Sequence, residues 1–292
     1  MKALYDLPAP AKLNLFLHIT GRREDGYHLL QSVFMLIDWC DTLHVERRED
    51  GLLSREDLTT PLPADDLVLR AARALQSYAQ PGQGAHIGIA KSVPAQAGMG
   101  GGSSDAATCL LALNRLWNLK LPLEKLEQIG LALGADVPFF LRGSNAWVEG
   151  IGETITPIEL PPARFWVVKP PEGLDTRLIF AAPELQRATP AAILAGFAAK
   201  HGANDLGMFD FGRNDLQPVA QRLCPSVTQA IEWLGSHGLQ GRMTGSGSAV
   251  FATMPHDADL ADAPDVPTGW LVRQCSNMAV HPLAGWAASD IS

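Results

Sequence analysis

The stretch PAQAGMGGGSSDAA, at residues 94–107, carries more information about this chain than any other segment. Its glycines at positions 98, 100, 101 and 102 leave the backbone free to take positive φ and leave room for a ligand. Apolar residues with helical spacing follow, so a helix is predicted over about 104–117. A donor-rich loop that leads into a helix N-terminus binds anions, because free N–H groups and the helix dipole favour negative charge. The segment therefore predicts a cradle for the phosphates of a nucleoside triphosphate.

Two better-known phosphate motifs do not fit this segment. A Walker A loop ends in Gly-Lys-Ser/Thr, whereas Gly102 is followed directly by Ser103. A Rossmann fingerprint follows an N-terminal strand and precedes an acidic residue by about twenty positions, and neither feature matches here. A plain flexible linker or helix cap is the remaining alternative. It is disfavoured because the loop is short and lies between a strand-like segment, 86–93, and a strongly apolar helix.

Composition limits the class of protein. The chain has 292 residues, of which 47% are hydrophobic and 18% charged, which suits two closely packed domains with sizeable cores. The formal net charge of −8 argues against nucleic-acid binding, since neutralising phosphates along a strand needs a basic face. The same charge is compatible with a small polyanionic ligand, which backbone dipoles and one or two cations can neutralise locally.

Cysteine, histidine and N-terminal patterns indicate a cytoplasmic protein. The four cysteines lie far apart and the eight histidines form no metal-binding motif, so neither disulfides nor a transition-metal site are expected. The N-terminal MKALYDLPAP lacks the apolar core of a signal peptide. Because no apolar run approaches the roughly 18 residues that a membrane helix needs, no membrane association is expected.

Hydrophobic periodicity predicts a chain that mixes strands and helices. Strands are expected at 12–19 (half-buried), 33–39, 42–46, 86–90, 146–150, 153–158 and 164–168, with a turn at Asp41. Helices are expected at 66–78, 104–117, 123–133, 189–199, 215–223 and 226–237. The segment 134–143 is too short and broken to predict a regular element, and prolines at 157, 161 and 162 indicate a boundary. The order of elements predicts the α+β class, with an N-terminal domain at 1–157 and a C-terminal domain at 158–292.

Two ionisable residues lie where charge is unexpected. Lys12 begins an apolar strand, and Asp136 is flanked by apolar residues on both sides. Such residues are seldom fully buried without a partner, so each is expected to face a polar cavity or a counter-charge. An exposed lysine at a strand start is the plain alternative for Lys12. Helix capping is the alternative for Asp136, because Val137-Pro138 suits the first turn of a helix.

An aspartate, a lysine and a phosphate loop are sufficient for phosphoryl transfer. The reaction needs alignment, charge neutralisation and a carboxylate to accept the proton of the attacking hydroxyl. ATP chemistry implies magnesium, which is expected to be bound mainly by the phosphates. Ser104 or Asp105 could contact the ion, and the sequence does not decide between them.

Two further segments are candidates for ligand contact. The glycine turn at 244–248 offers free N–H groups to either the phosphates or an acceptor substrate, and its alternative is a plain turn between strands. Tyr27 and His28 follow a polar turn, where a ring and an imidazole side by side could stack on a base and bond to it. Phe180 raises the same possibility. The alternative for Tyr27 is that it covers the hairpin.

Three separated segments resemble one family, the GHMP small-molecule kinases, which include galactokinase and the homoserine, mevalonate and phosphomevalonate kinases. The segments are PAPAKLNLFLHITGRREDGYHLLQSV at 8–33, the glycine loop at 94–107 and MTGSGSAVFA at 243–252. The resemblance extends from about residue 8 to residue 282. It implies two α+β domains with the active site in the cleft between them, and ATP as the phosphoryl donor. The first segment and LGADVPFF, at 133–140, resemble the branch whose acceptor is a cytidine diphosphate-linked methylerythritol of non-mevalonate isoprenoid synthesis.

The resemblance also implies roles for individual residues. It makes Asp136 the base that takes the proton of the acceptor hydroxyl and Lys12 its cationic partner. The acceptor pocket would be lined by Asn14, Tyr27, His28 and Phe180. The ATP phosphates would be held by Pro94, Ala95, Gln96, Ala97, Gly98, Met99, Gly100, Gly101, Gly102, Ser103 and Ser104. Relatives often carry more glycine where this chain has residues 95–97, so the tightest phosphate contacts are expected from 100–104.

Two alternatives stay open at this point. The chain could be a GHMP kinase with another acceptor, such as homoserine or mevalonate, or a nucleotide-binding module without catalysis. The sequence also leaves open whether Lys12 pairs with Asp136 or reaches the γ-phosphate. A small-molecule substrate is the expected partner, and the chain is expected to be a monomer or a homodimer.

Overall fold

Two β-sheets organise the chain. The computed structural model describes residues 1–199, 206–255 and 265–288, and these form a six-stranded sheet and a four-stranded sheet with helices packed on both. Most strand pairs are antiparallel, and the helices do not alternate regularly with the strands. The α+β class predicted from the order of elements is therefore confirmed.

The first sheet is built on a long antiparallel pair, β1 (Ala3–Arg22) and β2 (His28–Arg48). The other edge of β2 pairs with two further strands at different ends, and each of these carries one more neighbour. The four strands are β3 (Leu53–Asp57), β4 (Gly84–Ala90), β5 (Ala146–Gly150) and β6 (Thr154–Pro157). The turn expected at Asp41 is wrong, because β2 runs through this residue, whose side chain is fully buried.

Four helices cover one face of this sheet: α1 (Leu67–Gln76), α2 (Gly101–Leu116), α3 (Leu123–Leu133) and α4 (Val137–Arg142). Helix α2 begins three residues earlier than expected, so Gly101 and Gly102 belong to its first turn. The prediction of no regular element at 134–143 is wrong. Pro138 in the first turn pre-sets a helical φ, and Gly143 ends the short α4 with a φ of +69°.

The second sheet has the order β10-β7-β9-β8 and is entirely antiparallel. Its strands are β7 (Arg164–Lys169), β8 (Arg242–Met243), β9 (Val250–Thr253) and β10 (Leu271–Ser276). The helices of this half are α5 (Thr176–Ala181), α6 (Leu194–Ala199), α7 (Gln217–Leu223) and α8 (Pro225–Ser236), and a 3-10 turn lies at Leu206–Asp210. The helix expected at 189–199 begins only at Leu194, and Thr189 is instead bonded to β1, because its N donates to Ile19 O at 2.9 Å. Among the described helices, none has the length and apolar character needed to cross a bilayer.

Strand β1 lies between the two halves of the chain. The strand predicted at 12–19 is present, but it is buried on both faces instead of one. Its apolar residues, including Leu13 and Phe16, belong to a core shared with Phe165 and Phe251 of the second sheet. The polar residues Lys12, Asn14 and His18 of β1 consequently lie in the interior of the molecule instead of in solvent.

The two halves are connected by a short segment and by the C-terminal tail. Strand β6 ends at Pro157 and β7 begins at Arg164. The tail then returns to the first sheet, where Met278 N donates to Leu36 O at 2.9 Å and Leu283 joins the core beneath the sheet. We propose a division of the sequence into 1–157 and 158–292, in which the C-terminal tail of the second part packs on the first part.

Candidate active site

The glycine loop lines a cavity of about 450 Å³ at the N-terminus of α2. All the predicted phosphate-binding residues from Pro94 to Ser103 line it, whereas Ser104 is fully buried and does not. Gly100 is the N-cap residue of α2 and has a φ of +71°. Because glycine has no side chain that could accept a capping hydrogen bond, the first N–H groups of α2 have no side-chain acceptor. An anion in this cavity would meet those N–H groups and the positive end of the helix dipole. The contacts of these residues with ATP stay predictions.

The second glycine turn packs directly on the first. A Cβ on Gly98 would lie 2.3 Å from Thr244 O, and a Cβ on Gly245 would lie 2.6 Å from Gly98 O. The backbones also bond, because Ser248 N donates to Gln96 O at 3.1 Å. Residues 246 and 247 line the same cavity as the glycine loop. The turn at 244–248 therefore belongs to the predicted phosphate site, and only glycine permits the two loops to approach this closely.

Lys12 is almost fully buried and lies next to Asp136. Its Nζ is 3.8 Å from Asp136 Oδ2 and hydrogen-bonds to Asn14 Oδ1. The ammonium group also lies 4.5 Å from the centroid of the Phe34 ring. Burial lowers the pKa of Lys12, and the charge of Asp136 opposes that shift. The predicted acid and its predicted cationic partner are thus brought together, although they are far apart in sequence.

Asp136 keeps a carboxylate that is open to a substrate. The residue precedes α4 at the capping position, but its side chain makes no cap hydrogen bond. The side chain is 31% exposed, in contrast to 5% for Lys12. The capping alternative is therefore not realised, and one carboxylate faces both an ammonium group and solvent.

The Lys12–Asp136 pair lies next to the glycine loop. Neither residue lines the cavity. Gly100 connects the two sites, because it lines the cavity and a Cβ on it would lie 3.3 Å from Lys12 Cγ. The backbone is joined as well, since Lys12 N donates to Met99 O at 2.9 Å. A phosphate chain held by the loop would therefore have the acid–amine pair on the adjacent side of the loop.

Asn14 holds the lysine in place. Its Oδ1 accepts the hydrogen bond from Lys12, its Nδ2 donates to Ser32 Oγ at 2.8 Å, and its backbone N donates to Thr244 Oγ1 at 2.9 Å. The residue is only 1% exposed, so its amide is already used inside the protein. Its predicted contact with the acceptor stays a prediction, and the structure adds a positioning role for Lys12.

Two of the predicted acceptor residues contact each other at the start of β2. The rings of His28 and Phe180 lie 4.9 Å apart at an interplanar angle of 31°. Tyr27 is 61% exposed, and its backbone N donates to Asp25 Oδ1 at 3.2 Å. An exposed ring next to a half-buried ring pair can serve as a stacking surface for a planar ligand. The cytidine contacts of all three residues stay predictions.

Three buried ionisable side chains support the glycine loop, and the sequence analysis missed them as a group. Lys91 Nζ bonds to Asp105 Oδ2 at 2.5 Å and also to Asp41 Oδ2. Asp41 Oδ1 accepts hydrogen bonds from the backbone N–H groups of Ser92 and Val93 at 2.5 and 2.8 Å. Burial, together with the neighbouring Asp41, raises the pKa of Asp105 to about 8 in spite of Lys91. The group anchors the start of the loop to β2 and to α2.

The sequence contained a signal for this group. Asp41 stands three residues after Asp38 in a stretch that is otherwise largely apolar, so it shares part of the anomaly that identified Lys12 and Asp136. The sequence analysis instead places a turn there, between two strands. Lys91 stands immediately before the loop, at the end of a predicted strand, and its position gave no further indication of a buried pair.

Comparison with known proteins identifies the family. The model of the GHMP kinases N terminal domain matches residues 66–144, and the model of the GHMP kinases C terminal domain matches residues 197–265. The chain is 75% identical to a 4-diphosphocytidyl-2-C-methyl-D-erythritol kinase of Variovorax paradoxus, covering 98% of this chain and 100% of the relative. The chain belongs to the GHMP kinase family. A second 4-diphosphocytidyl-2-C-methyl-D-erythritol kinase, from Albidiferax ferrireducens, is 68% identical over 99% of this chain and 98% of the relative.

Solved structures agree with this assignment. This GHMP kinase matches a crystal structure of 4-(cytidine 5'-diphospho)-2C-methyl-D-erythritol kinase with a TM-score of 0.78 and 32% identity, over 93% of this chain and 98% of that one. It also matches a homoserine kinase from Cytophaga hutchinsonii with a TM-score of 0.68 and 16% identity, over 96% of each chain. The second match shows the fold alone. The resemblance stated from the three sequence segments is therefore confirmed.

Proposed function

We propose that this GHMP kinase transfers the γ-phosphoryl group of ATP to the 2-hydroxyl of 4-diphosphocytidyl-2-C-methyl-D-erythritol, giving the 2-phosphate and ADP. The observation that carries the proposal is the Lys12–Asp136 pair, with its two charged atoms 3.8 Å apart beside the glycine loop. The similarity to 4-diphosphocytidyl-2-C-methyl-D-erythritol kinases supports the choice of acceptor. The reaction belongs to non-mevalonate isoprenoid precursor synthesis.

Each residue of the pair has a separate task in this mechanism. Asp136 accepts the proton of the 2-hydroxyl while the hydroxyl oxygen forms a bond to the γ-phosphorus. The bond between that phosphorus and the oxygen bridging to the β-phosphate breaks, and ADP leaves with the electron pair. Lys12 pairs with the carboxylate and stabilises negative charge on the transferred group, an effect that its burial strengthens.

The glycine loop is proposed to hold the triphosphate. A cavity of about 450 Å³ is within the usual range of small-molecule sites. The apolar side chains of Leu62, Pro63 and Leu67 also line it and suit the uncharged part of a nucleotide. We propose that the N–H groups at the start of α2 meet the phosphates.

Magnesium fits the oxygen atoms beneath the loop. Among the described residues, Ser104 Oγ and Asp105 Oδ1 are buried without a hydrogen-bond partner, and oxygen ligands are what Mg²⁺ prefers. We propose that the ion is held mainly by the ATP phosphates, with Asp105, which lines the cavity, and Ser104 as the nearest protein oxygens. When bound, the ion neutralises charge on the phosphates.

The distance between the two proposed ends of the acceptor favours a long molecule. His28 begins β2, and Phe34, which lies under Lys12, follows six residues later on the same strand. At roughly 3.3 Å per residue this separation is about 20 Å. A nucleoside diphosphate joined to a polyol can extend from one end to the other, whereas homoserine or mevalonate contacts only the catalytic end.

Three parallel assays test the proposal. Release of ADP is measured with 4-diphosphocytidyl-2-C-methyl-D-erythritol, with mevalonate and with homoserine, each at saturating ATP. We expect turnover with the cytidyl acceptor and none with the other two. Turnover of mevalonate or homoserine alone contradicts the choice of acceptor, and absence of turnover with all three, together with ATP binding, indicates a nucleotide-binding module without catalysis.

We also place this reaction in the cytoplasm, where ATP is available to the enzyme. The four cysteines all carry free thiols, three of them buried, as expected for a protein kept in a reducing compartment. A monomer or a homodimer fits the proposal equally, because every residue of the proposed site comes from one chain.

A further inference from the structure

Arg187 links two residues of the proposed base pocket, His28 and Phe180. Its Nε donates to His28 Nε2 at 3.1 Å. Its Nη2 donates to the carbonyl oxygens of Phe180 and Ala182 at 3.0 and 2.7 Å, and its Nη1 donates to Leu185 O at 3.1 Å. One guanidinium group therefore holds the histidine ring on one side of the pocket and the end of α5 on the other.

This contact fixes the protonation of the histidine. A guanidinium group is always a donor and never an acceptor, so His28 Nε2 must accept with its lone pair. The single proton of the neutral ring is then on Nδ1, for which the described residues supply no acceptor. Burial and the positive charges of Arg187 and Arg22 lower the pKa of His28, so the ring stays neutral.

We infer that Arg187 is a positioning residue that sets the base specificity of the acceptor pocket, by holding His28 as a donor through Nδ1–H. The inference rests on the proposed function and names a determinant of its substrate choice. Cytosine presents a bare N3 that accepts a hydrogen bond, whereas uracil presents an N3–H that donates one. A fixed N–H donor beside that edge of the base is satisfied by cytosine and repelled by uracil.

The geometry around His28 supports a role for its ring in the choice between cytosine and uracil. His28 contacts the Phe180 ring at 4.9 Å, so a base stacked in this region lies within reach of the imidazole edge. A histidine free to change tautomer could donate to cytosine and accept from uracil, and would discriminate poorly. Discrimination by hydrogen bonding is strong when the wrong ligand leaves a polar group of the site unpaired.

The test compares two acceptors on the wild-type enzyme and on three variants. The acceptors are 4-diphosphocytidyl-2-C-methyl-D-erythritol and the corresponding uridine diphosphate ester, and the ratio of their kcat/KM values is measured. Arg187→Met removes the donors but keeps the apolar stem, and Arg187→Lys keeps a donor and a charge. Arg222→Met is the matched control, because Arg222 contacts Glu184 of the same segment through an exposed ion pair and does not contact His28.

The expected result is a wild-type preference for the cytidyl acceptor of roughly a hundredfold or more, which falls about tenfold or more in Arg187→Met. The preference is partly restored in Arg187→Lys and is unchanged in Arg222→Met. The tautomer is read from ¹H–¹⁵N spectra of the histidine ring nitrogens, in which the His28 signals are identified because they are missing from His28→Gln. We expect the wild-type His28 to carry its proton on Nδ1 and none on Nε2. A purely structural role for Arg187 would change stability without changing the ratio or the tautomer.

Three results overturn the inference. They are a wild-type His28 that carries its proton on Nε2, an Arg187→Met variant that is folded and keeps the wild-type ratio, and a wild-type enzyme that uses both acceptors equally. If Arg187→Met does not fold, the acceptor ratio of Arg187→Lys and the tautomer seen in the wild-type spectrum decide whether the inference holds. If the wild-type enzyme does not phosphorylate the cytidyl acceptor at all, both the proposed function and the proposed specificity are overturned. If it phosphorylates the cytidyl and uridyl acceptors with equal kcat/KM, only the specificity is overturned and the proposed function stands.

Discussion

The ammonium nitrogen of Lys12 lies 3.8 Å from the carboxylate of Asp136, and the lysine side chain is next to Gly100 of the glycine loop. The two residues come from different elements, the buried strand β1 and the residue that precedes α4. Their exposure differs as their proposed tasks require, since the lysine is enclosed and the carboxylate is open to an acceptor. The mechanism depends on this asymmetry.

Replacing the proposed base should abolish most of the activity and leave the nucleotide site intact. In Asp136→Asn, the amide cannot take the proton of the hydroxyl, so we expect kcat to fall by roughly a hundredfold or more. ATP binding, measured by calorimetry, should be unchanged because Asp136 does not line the cavity. Asp65→Asn, which changes an exposed acid paired with Arg73, is the control and should keep wild-type kcat. Full activity of Asp136→Asn would show that another group is the base.

Lys12 should be needed for catalysis but not for folding. In Lys12→Met, the apolar stem remains next to Phe34, and Asp136 can be solvated because it is partly exposed. We expect kcat to fall by about a hundred- to a thousandfold, as when one charge-stabilising donor is lost. The free energy of unfolding in urea should fall by only about 1–2 kcal/mol, because Asp136 is solvated and the main loss is the donor to the buried Asn14 Oδ1. Unfolding of this variant would assign Lys12 a structural role instead.

The proposed catalytic pair and the glycine loop could be found in the sequence because each breaks a local rule. A lysine in an apolar strand, an acid among apolar residues and a run of glycines are all unfavourable unless a ligand or partner compensates. Arg187 breaks no such rule, since an arginine in a polar loop is ordinary. Its role depends on a contact with His28 across the fold, and long-range contacts of this kind leave no local pattern.

The errors in the predicted elements have a similar origin. Strand β1 was expected to be half-buried, because its polar residues alternate with apolar ones in the usual manner of a surface strand. Those polar residues instead face a site between the two halves of the chain, which local sequence does not reveal. The turn expected at Asp41 is wrong for the same reason, since its carboxylate is satisfied by Lys91 and by two backbone N–H groups.

The close contact between the two glycine turns should make Gly98 intolerant of any side chain. In Gly98→Ala, the new Cβ meets Thr244 O, and the residue keeps a φ of +72° that alanine disfavours. We expect a loss of roughly 2–4 kcal/mol in the free energy of unfolding, from overpacking and backbone strain together. Gly235→Ala is the matched control, because this helical glycine has open space around its Cβ position and should gain about 0.5–1 kcal/mol. Equal stabilities of the two variants would contradict the packing argument.

Removing the central charge of the buried group should destabilise the protein in a pH-dependent way. In Lys91→Met, two buried carboxyl groups lose their cation, and we expect a loss of about 3 kcal/mol in the free energy of unfolding at pH 7. Burial already raises the pKa of Asp105 to about 8, so the folded state holds its proton more tightly than the unfolded state. The stability of the variant should therefore fall as pH rises from 6 to 8. Lys2→Met, at an exposed position, should show neither effect.

His281 should make the folded state sensitive to mild acid. Its side chain is buried, Nδ1 accepts a hydrogen bond from Leu283 N at 3.0 Å, and burial lowers the pKa to about 4 from the model-peptide value of 6.5. A histidine whose pKa is lower in the folded state stabilises the protein above the unfolded pKa, and this contribution is lost as pH falls through the folded value. We expect the wild-type free energy of unfolding to fall between pH 6.5 and pH 4, with about 3 kcal/mol of the change due to this residue.

In His281→Asn, the amide oxygen can still accept from Leu283 N but does not titrate, so urea unfolding should show a shallower pH dependence over that range. His44→Asn is the control, since His44 Nδ1 accepts from Asp6 N in the same way on a side chain that is 28% exposed. An equal pH dependence in His281→Asn and the wild-type enzyme would mean that the buried imidazole does not control the acid sensitivity.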